Sequence, residues 1–578
     1  MKRYSIALMV ALAAILLSSC GNIGNIVETA KNTVEGNRQI AESDLGIYRA
    51  IEANNYEGVV EAVDGGSNVT EFAGETAEAT GNSSVLLHAM NRNAENIVIY
   101  LLDKGSDPNY VDADGVPIIF HTLRGGNDNV VNSRYTELLL AYGADPNMRD
   151  REGNRALDEA IRQGNHRTQR MLLDADAVVA ESTVSAQLGE IDGNSESADN
   201  FAYSVYCDIA ADVFRRAKEL GVDVGLDSAL EALLGGSAAK ANELMAEAEI
   251  GEGDVGKYVY FAAALGNAQS FGVLEQSHGI AYDTSDQEDN LLSIAARNGN
   301  VDAMTYLLGQ GYSVNGKYGV WYTPLDYAVR GNHKDAAEYL LANGAKLTVG
   351  SASEQTLSLA AANGTGSELV EALYRARGYE IGSDTLKDAM ENAIMYGNNE
   401  ALKFMLEKSG ERGYALQNGM LAFACTRDFR LCNYKGGQNP RNAATEESVE
   451  ILLSYGADVD GATDGGSEDY GAPLGGAASC GETGIVKLLI EKGANVNAFS
   501  SDGEKYTGDS PLTCAVTYGY LDIVKTLVEN GAKISDTGEY FGKAGSLVGL
   551  AKSGYSKRIY RYLDSTMAGS DVKYDTKE

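Results

Sequence analysis

Apolar residues recur along most of the chain at the three- and four-residue spacing of a helix face, in short bursts broken by Gly, Asn and Asp. Ile523, Val524, Leu527 and Val528 show the pattern, and Gly531 follows where a left-handed C-cap is needed. Thr323-Pro324-Leu325 and Ser510-Pro511-Leu512 each put a hydroxyl at an N-cap and proline at the first helical position. The pattern predicts a short first helix, such as Asp326 to Gly331, then a second helix, then a polar turn. One phrase marks that turn: Gly105 to Asn109, Gly143 to Asn147, Gly311 to Asn315, Gly344 to Thr348, Gly456 to Asp460, Gly493 to Asn497 and Gly531 to Ser535. Gly66, Gly221, Gly279 and Gly378 open weaker versions. Successive copies lie 33 to 38 residues apart, and the 78 residues from Gly143 to Gly221 hold two units. The prolines agree. Pro117, Pro324, Pro473 and Pro511 start first helices, Pro108 and Pro146 share the slot after a second helix, and Pro440 alone falls outside the scheme.

These residues resemble ankyrin repeats, whose signature is T-P-L-H-x-A over about 33 residues. The best matches are Tyr322 to Thr348, Ala472 to Asn497 and Ser510 to Ser535, with weaker copies over Ile47 to Glu181 and Tyr258 to Arg412. The resemblance implies an all-α solenoid of about fifteen helix-turn-helix units joined by hairpin loops, from Ile47 to Leu563. The signature histidine is absent: Asp326, Gly475 and Thr513 stand in its place. Three units carry insertions between their helices, near Gly125 to Ser133, Gly189 to Asn200 and Arg427 to Glu446. The expected divisions are repeats at 47–182, a divergent segment at 183–256, repeats at 257–418, repeats at 419–542 with the insertion at 427–446, and a capping repeat with a polar tail at 543–578. In the divergent segment, Ser204 to Leu220 and Ala229 to Ala248 read as helices of two more units, or of a small inserted domain.

The first residues read as an address. Lys2 and Arg3 precede an apolar run from Ile6 to Leu17, too short to span a bilayer but suited to a signal-peptide core. Leu17-Ser18-Ser19-Cys20-Gly21 resembles the lipobox of bacterial lipoproteins. By that resemblance 1–19 is cleaved, Cys20 carries acyl chains, and 20–46 is a tether and N-terminal cap, with Ile23, Ile26, Val27, Ala30 and Val34 on one helical face. The protein is then expected on the cell envelope, facing periplasm or exterior. Five further cysteines follow, Cys207, Cys425, Cys432, Cys480 and Cys514, without a CxxC spacing. Cys425 and Cys432 are the candidate disulfide, and burial as small hydrophobes is the alternative for all five.

The net charge is −35, from 47 Lys+Arg against 82 Asp+Glu, so a nucleic-acid partner is not expected. Gly251 to Gly256 matches G-x-G-x-x-G by letter, but a helix precedes it and Glu252 and Asp254 sit inside, so it reads as a loop. Ser237 to Lys240 matches S-x-x-K without its companion motifs. His88, His121, His166, His278 and His333 fall in five separate units, and His166 and His333 share one slot at the start of a second helix, which is a structural pattern. Asp458, Asp460, Asp464, Glu468 and Asp469 form an acidic loop whose spacing does not fit a calcium-binding EF-hand. Arg427, Arg430, Lys435 and Arg441 make the 427–446 insertion basic on an acidic body, either a contact for an acidic partner or a local neutralisation. No metal or other cofactor is expected.

The chain holds 33 Tyr and one Trp, residues that favour protein interfaces. Tyr110, Tyr318, Trp321, Tyr322, Tyr470 and Tyr506 are placed in hairpin segments, and Tyr327 and Tyr518 on first helices, where a concave binding surface is expected; Tyr100, Tyr306 and Tyr339 are expected to pack between second helices. The leading reading is a non-enzymatic interaction lipoprotein that binds a protein partner. One alternative is an enzyme or accessory with its site among Glu190, Asp192, Asp208 and Asp212. The other is a carbohydrate- or small-ligand-binding surface lipoprotein. Stacking between neighbours predicts staged unfolding, with Thr183 to Gly256 the weak point.

Overall fold

The structure is a computed structural model. It describes residues 42–70, 84–123, 130–193, 207–222, 227–251, 254–279, 291–316, 322–348, 356–362, 366–377, 381–414, 416, 419–426, 446–461, 472–498, 510–534, 537–540, 543–553 and 556–568. Thirty helices among these residues pair into fifteen units, numbered 1 to 15 in chain order, in an all-α solenoid. Along most of the array first helix packs on first helix and second on second, while between units 5 and 6 the second helix of one packs on the first helix of the next. Short extended pieces sit at the links: bridges Val111–Pro117 and Arg149–Arg155, and a two-stranded antiparallel hairpin of β1 (Thr537–Tyr540) and β2 (Lys543–Ser546) that pairs Thr537 with Ser546. Cys20, the expected 1–19 leader, most of the expected 20–46 tether and the 569–578 tail lie outside the described residues.

Local chemistry explains why the units repeat. The phrase glycines Gly105, Gly143, Gly311, Gly344, Gly456, Gly493 and Gly531 all adopt φ between +89° and +97°, a conformation that disfavours any other residue. In five copies the last residue of the phrase links its unit to the next. Asn109 accepts from the Asp145 amide (2.6 Å) and donates to the Gly143 carbonyl (3.2 Å). Asn147, Asn315 and Asn497 accept likewise from the amides of Val178, Lys346 and Lys533 at 2.7 to 2.9 Å. Asp460 does the same for Asn495 (2.8 Å), so this member of the acidic loop is occupied as a structural acceptor. Asp464, Glu468 and Asp469 lie outside the described residues.

First helices carry alanines that let neighbours approach closely: Ala295, Ala296, Ala328, Ala360, Ala361, Ala477, Ala478 and Ala515 are all buried. Where the signature histidine is missing, Asp326 supplies another link. It is fully buried on the first helix of unit 9 (Pro324–Arg330) and accepts from the Thr323 amide and hydroxyl, and from Thr348 Oγ1 (2.5 Å) and Thr356 Oγ1 (2.6 Å) toward unit 10. Asp158 in unit 4 repeats the device with the Arg155 amide, Ser182 and Thr183.

The 183–256 segment departs from expectation in two respects. Ala229 to Ala248 is a helix pair and not one helix: Ser228–Leu234 ends at Gly235, Gly236 takes φ +74°, and Ala238–Glu247 follows. A left-handed glycine there stops the first helix. Together with Glu181–Gly193 and Cys207–Glu219 these helices form units 5 and 6. The helix at 181–193 also runs through Gly189, where the insertion was expected to begin.

Second helices are tied by a tyrosine device. Tyr142 donates to Asp103 (2.6 Å), Tyr306 to Glu275 (2.6 Å) and Tyr455 to Glu407 (3.3 Å), each carboxylate being on the preceding unit. Burial and the Glu275 hydrogen bond push the Tyr306 phenol well above its ordinary value. A raised phenol value gives stability that is complete below the ordinary value near ~10 and is lost as pH rises through and above it. Tyr306→Phe is therefore expected to lower stability at neutral pH by about 1 kcal/mol, with the gap to wild type closing in alkaline solution. Urea unfolding at several pH values checks this; a gap that stays constant into the alkaline range would refute it.

Candidate interaction surface

The expected aromatic face divides under inspection. Tyr110 is only 8% exposed and Tyr327 only 5%, so neither lines a groove. The Tyr110 backbone pairs with the Ile118 amide at the hairpin, and its ring turns into the core below. Tyr327 lies on the buried side of the unit 9 first helix, edge-on to Tyr322 at 5.9 Å. Tyr322 and Tyr518 are half-buried. Tyr318, Trp321, Tyr470 and Tyr506 lie outside the described residues, as does the basic insertion from Arg427 to 445. What remains on the hairpin side of unit 9 is a stacked pair, with the exposed Arg330 guanidinium 4.6 Å from the Tyr322 ring centroid. Such a pair offers a flat apolar surface and a fixed positive charge on an acidic body.

The remaining chemical candidates have structural partners. His88 meets Glu52 (3.0 Å) and stacks on Tyr48, His121 meets Asp112 (2.9 Å), and His278 meets the Met245 carbonyl (2.6 Å). His333 is the N-cap of Lys334–Ala342, and His166 begins its second helix. No group of three potential metal ligands occurs among the described residues. Asp212 contacts Arg170, Arg215 and Arg216. Burial would raise its carboxyl, but the arginine hydrogen bonds outweigh that and hold it below its ordinary value, which suits an ion-pair hub. The side chains of Glu190, Asp192 and Asp208 are not among those described. Ser237 precedes Ala238–Glu247 as its N-cap residue, and Lys240 pairs with Glu243 at the surface. Cys425 is a free, fully buried thiol at the end of Met420–Cys425, the small-hydrophobe alternative expected for it, and burial pushes it far above its ordinary value. Cys432 lies outside the described residues.

One surface was missed in the sequence. Units 1 and 2 lie alongside units 13 to 15. Asn55 donates to the Thr517 carbonyl (3.4 Å), the Glu57 amide donates to the Gly519 carbonyl (2.9 Å), and Asn96 donates to the Cys480 carbonyl (2.8 Å) and the Tyr520 hydroxyl (3.1 Å). The last helix, Lys557–Ala568, packs on Tyr56–Asp64 of unit 1. Arg558 pairs there with Glu57 (3.0 Å) and Asp64, and Glu61 accepts from Ser556 Oγ (3.2 Å) and the Arg558 amide. The signal was present: Glu57, Glu61 and Asp64 share one face of a helix, and Lys557, Arg558 and Arg561 make the last helix basic.

Residues 84–182, 259–350 and 441–537 match the family model for ankyrin repeats, three copies in each match. These stretches are ankyrin repeats, a class of protein–protein interaction module. Among solved structures, the crystal structure of the human ASB11 ankyrin repeat domain is similar at 21% identity, over 47% of this chain and 96% of that one, with a TM-score of 0.26. No curated protein matches the chain by sequence. Among the described residues no helix is long and apolar enough to cross a membrane.

Proposed function

We propose that the protein is a non-enzymatic protein-interaction scaffold, held by acyl chains on Cys20 at the extracytoplasmic side of a bacterial membrane. The observation that supports it best is the ankyrin array itself, with the Tyr322–Arg330 pair presented at the hairpin side of unit 9. Short helices tied by asparagine and aspartate links form a rigid support for variable hairpins, and rigid supports with variable loops suit recognition. Tyr322 and its neighbours Tyr318 and Trp321 carry the contact, and the surface charge directs the protein away from nucleic acid.

The test is crosslinking and capture from envelope extract with the full chain as bait, beside a variant with Tyr318, Trp321 and Tyr322 all changed to alanine, and a Cys20→Ala chain followed by membrane fractionation. A protein held by the wild type and lost by the triple variant, with Cys20→Ala leaving the membrane fraction, is the expected result. Equal capture by both baits removes the surface assignment. A Cys20→Ala chain that stays membrane-bound removes the anchor, and no captured protein removes the scaffold reading.

A further inference from the structure

The meeting of units 1 and 2 with units 13 to 15 reproduces the chemistry that joins ordinary neighbours. Asn300, N-cap of the unit 8 second helix, donates to the Ala263 and Gly266 carbonyls at the end of the unit 7 first helix (3.1 and 2.8 Å). Asn398 does the same to Ala361 and Gly366 (3.2 and 3.0 Å). Asn55 is the N-cap of the unit 1 second helix and has no earlier described unit to reach. Its donor goes instead to Thr517, at the end of the unit 14 first helix, Pro511–Tyr518. The backbones are close there: a Cβ on Gly519 would stand 2.2 Å from Asn55 Oδ1 and 2.9 Å from the Glu57 nitrogen. Unit 1 thus meets unit 14 at its turn as a successor meets its predecessor.

The two kinds of junction differ in what they bury. Neighbouring units share alanine and leucine cores with no exposure. The junction of units 1 and 2 with 13 to 15 rests on backbone and amide hydrogen bonds, on Tyr56 facing Tyr520 (5.8 Å), and on Arg558 with 42% exposure between Asp64 with 47% and the buried Glu57 with 7%. The exposed Arg558–Asp64 pair and a few polar contacts contribute far less than a buried apolar interface, and the buried Glu57 carboxylate regains water when the junction opens. Opening here therefore requires much less free energy than unfolding any unit.

We infer that this junction is a releasable clasp: the array closes on itself, and it also has an open form in which units 1 and 2 leave units 13 to 15 while every unit stays folded. Arg558 is the pin, because it enters the acidic face of Glu57, Glu61 and Asp64 and supplies its opposite charge. Glu61 completes the N-terminal end of the last helix from the other side of the junction, where a carboxylate interacts favourably with the helix dipole. Opening uncovers Tyr56, Tyr100 and Tyr520 together with that acidic face, and turns a closed loop of units into an arc.

The Glu57 amide reports closure directly, since its acceptor belongs to unit 14. The test measures hydrogen exchange at Glu57 and the radius of gyration by small-angle scattering, on the full chain and three variants. Gly519→Ala places a methyl into Asn55 and Glu57. Gly397→Ala is its control, because Gly397 has φ +70° against +80° for Gly519, follows a first helix in the same way, and has nothing within 4 Å of a Cβ. Arg558→Glu reverses the pin at an exposed site. Exchange at Glu57 is expected to rise at least about tenfold in Gly519→Ala and Arg558→Glu, the response to losing several polar contacts. The radius of gyration rises with it, helix content is kept, and Gly397→Ala stays at the wild-type values. The clasp is overturned if all four proteins exchange and scatter alike, or if Glu57 exchange rises only together with loss of helix.

Discussion

Replacing Asp326 with alanine is expected to lower the stability of units 9 and 10 by about 3 kcal/mol, the cost of orphaning several buried donors at once. The carboxylate has no solvent exposure and accepts four hydrogen bonds, two from Thr323 and one each from Thr348 and Thr356. Alanine removes every acceptor and leaves two threonine hydroxyls toward unit 10 facing an apolar space. Asp326→Asn, which keeps one good acceptor oxygen, is expected to lose less than half as much. Because each repeat touches mainly its neighbours, the damage should be local. Hydrogen exchange along the chain checks this: amides of units 9 and 10 lose protection while those of units 2 to 4 keep it. A uniform loss, or none, would contradict the link.

Phe271→Ala is expected to have the other large effect, about 3 to 5 kcal/mol, as for a phenylalanine removed from a packed core. Phe271 is fully buried on the second helix of unit 7 (Ala268–His278), and its ring lies flat on Tyr306 of unit 8, with centroids 4.8 Å apart and planes 10° apart. The cavity would open between two units, so both neighbours lose a packing face, and the Tyr306–Glu275 hydrogen bond loses the ring that positions it. Phe271→Leu, which fills most of the volume, is expected to recover more than half of the loss. Thermal unfolding followed by circular dichroism measures both; equal melting for Phe271→Ala and wild type would show that this interface does not carry the load assigned to it.

Much of the architecture was legible in the residues because the units are short and their punctuation is local. A glycine at Gly105 or Gly493 needs a left-handed backbone, and a proline after Thr323 or Ser510 needs a helix start; both requirements are met within four residues. The asparagines of the phrase were visible as a repeat, but their acceptor role was not, since the amides of Asp145 and Lys533 lie in the following unit. The tyrosines were harder. Tyr322 and Tyr327 are five residues apart, and only the helix that starts at Pro324 turns one into the core while the other remains half-buried. Closure was the least legible feature. Glu57, Glu61 and Asp64 read as an ordinary solvated helix face, and what brings Arg558 to them is small rotations summed over the whole array. No local pattern records that sum.

The meeting of units 1 and 15 has a consequence for how the array melts. A linear solenoid frays from its two terminal repeats, each lacking one neighbour. Here the first and last described units each have packing on both sides while the array is closed, so fraying of either end waits on the opening of the junction between them.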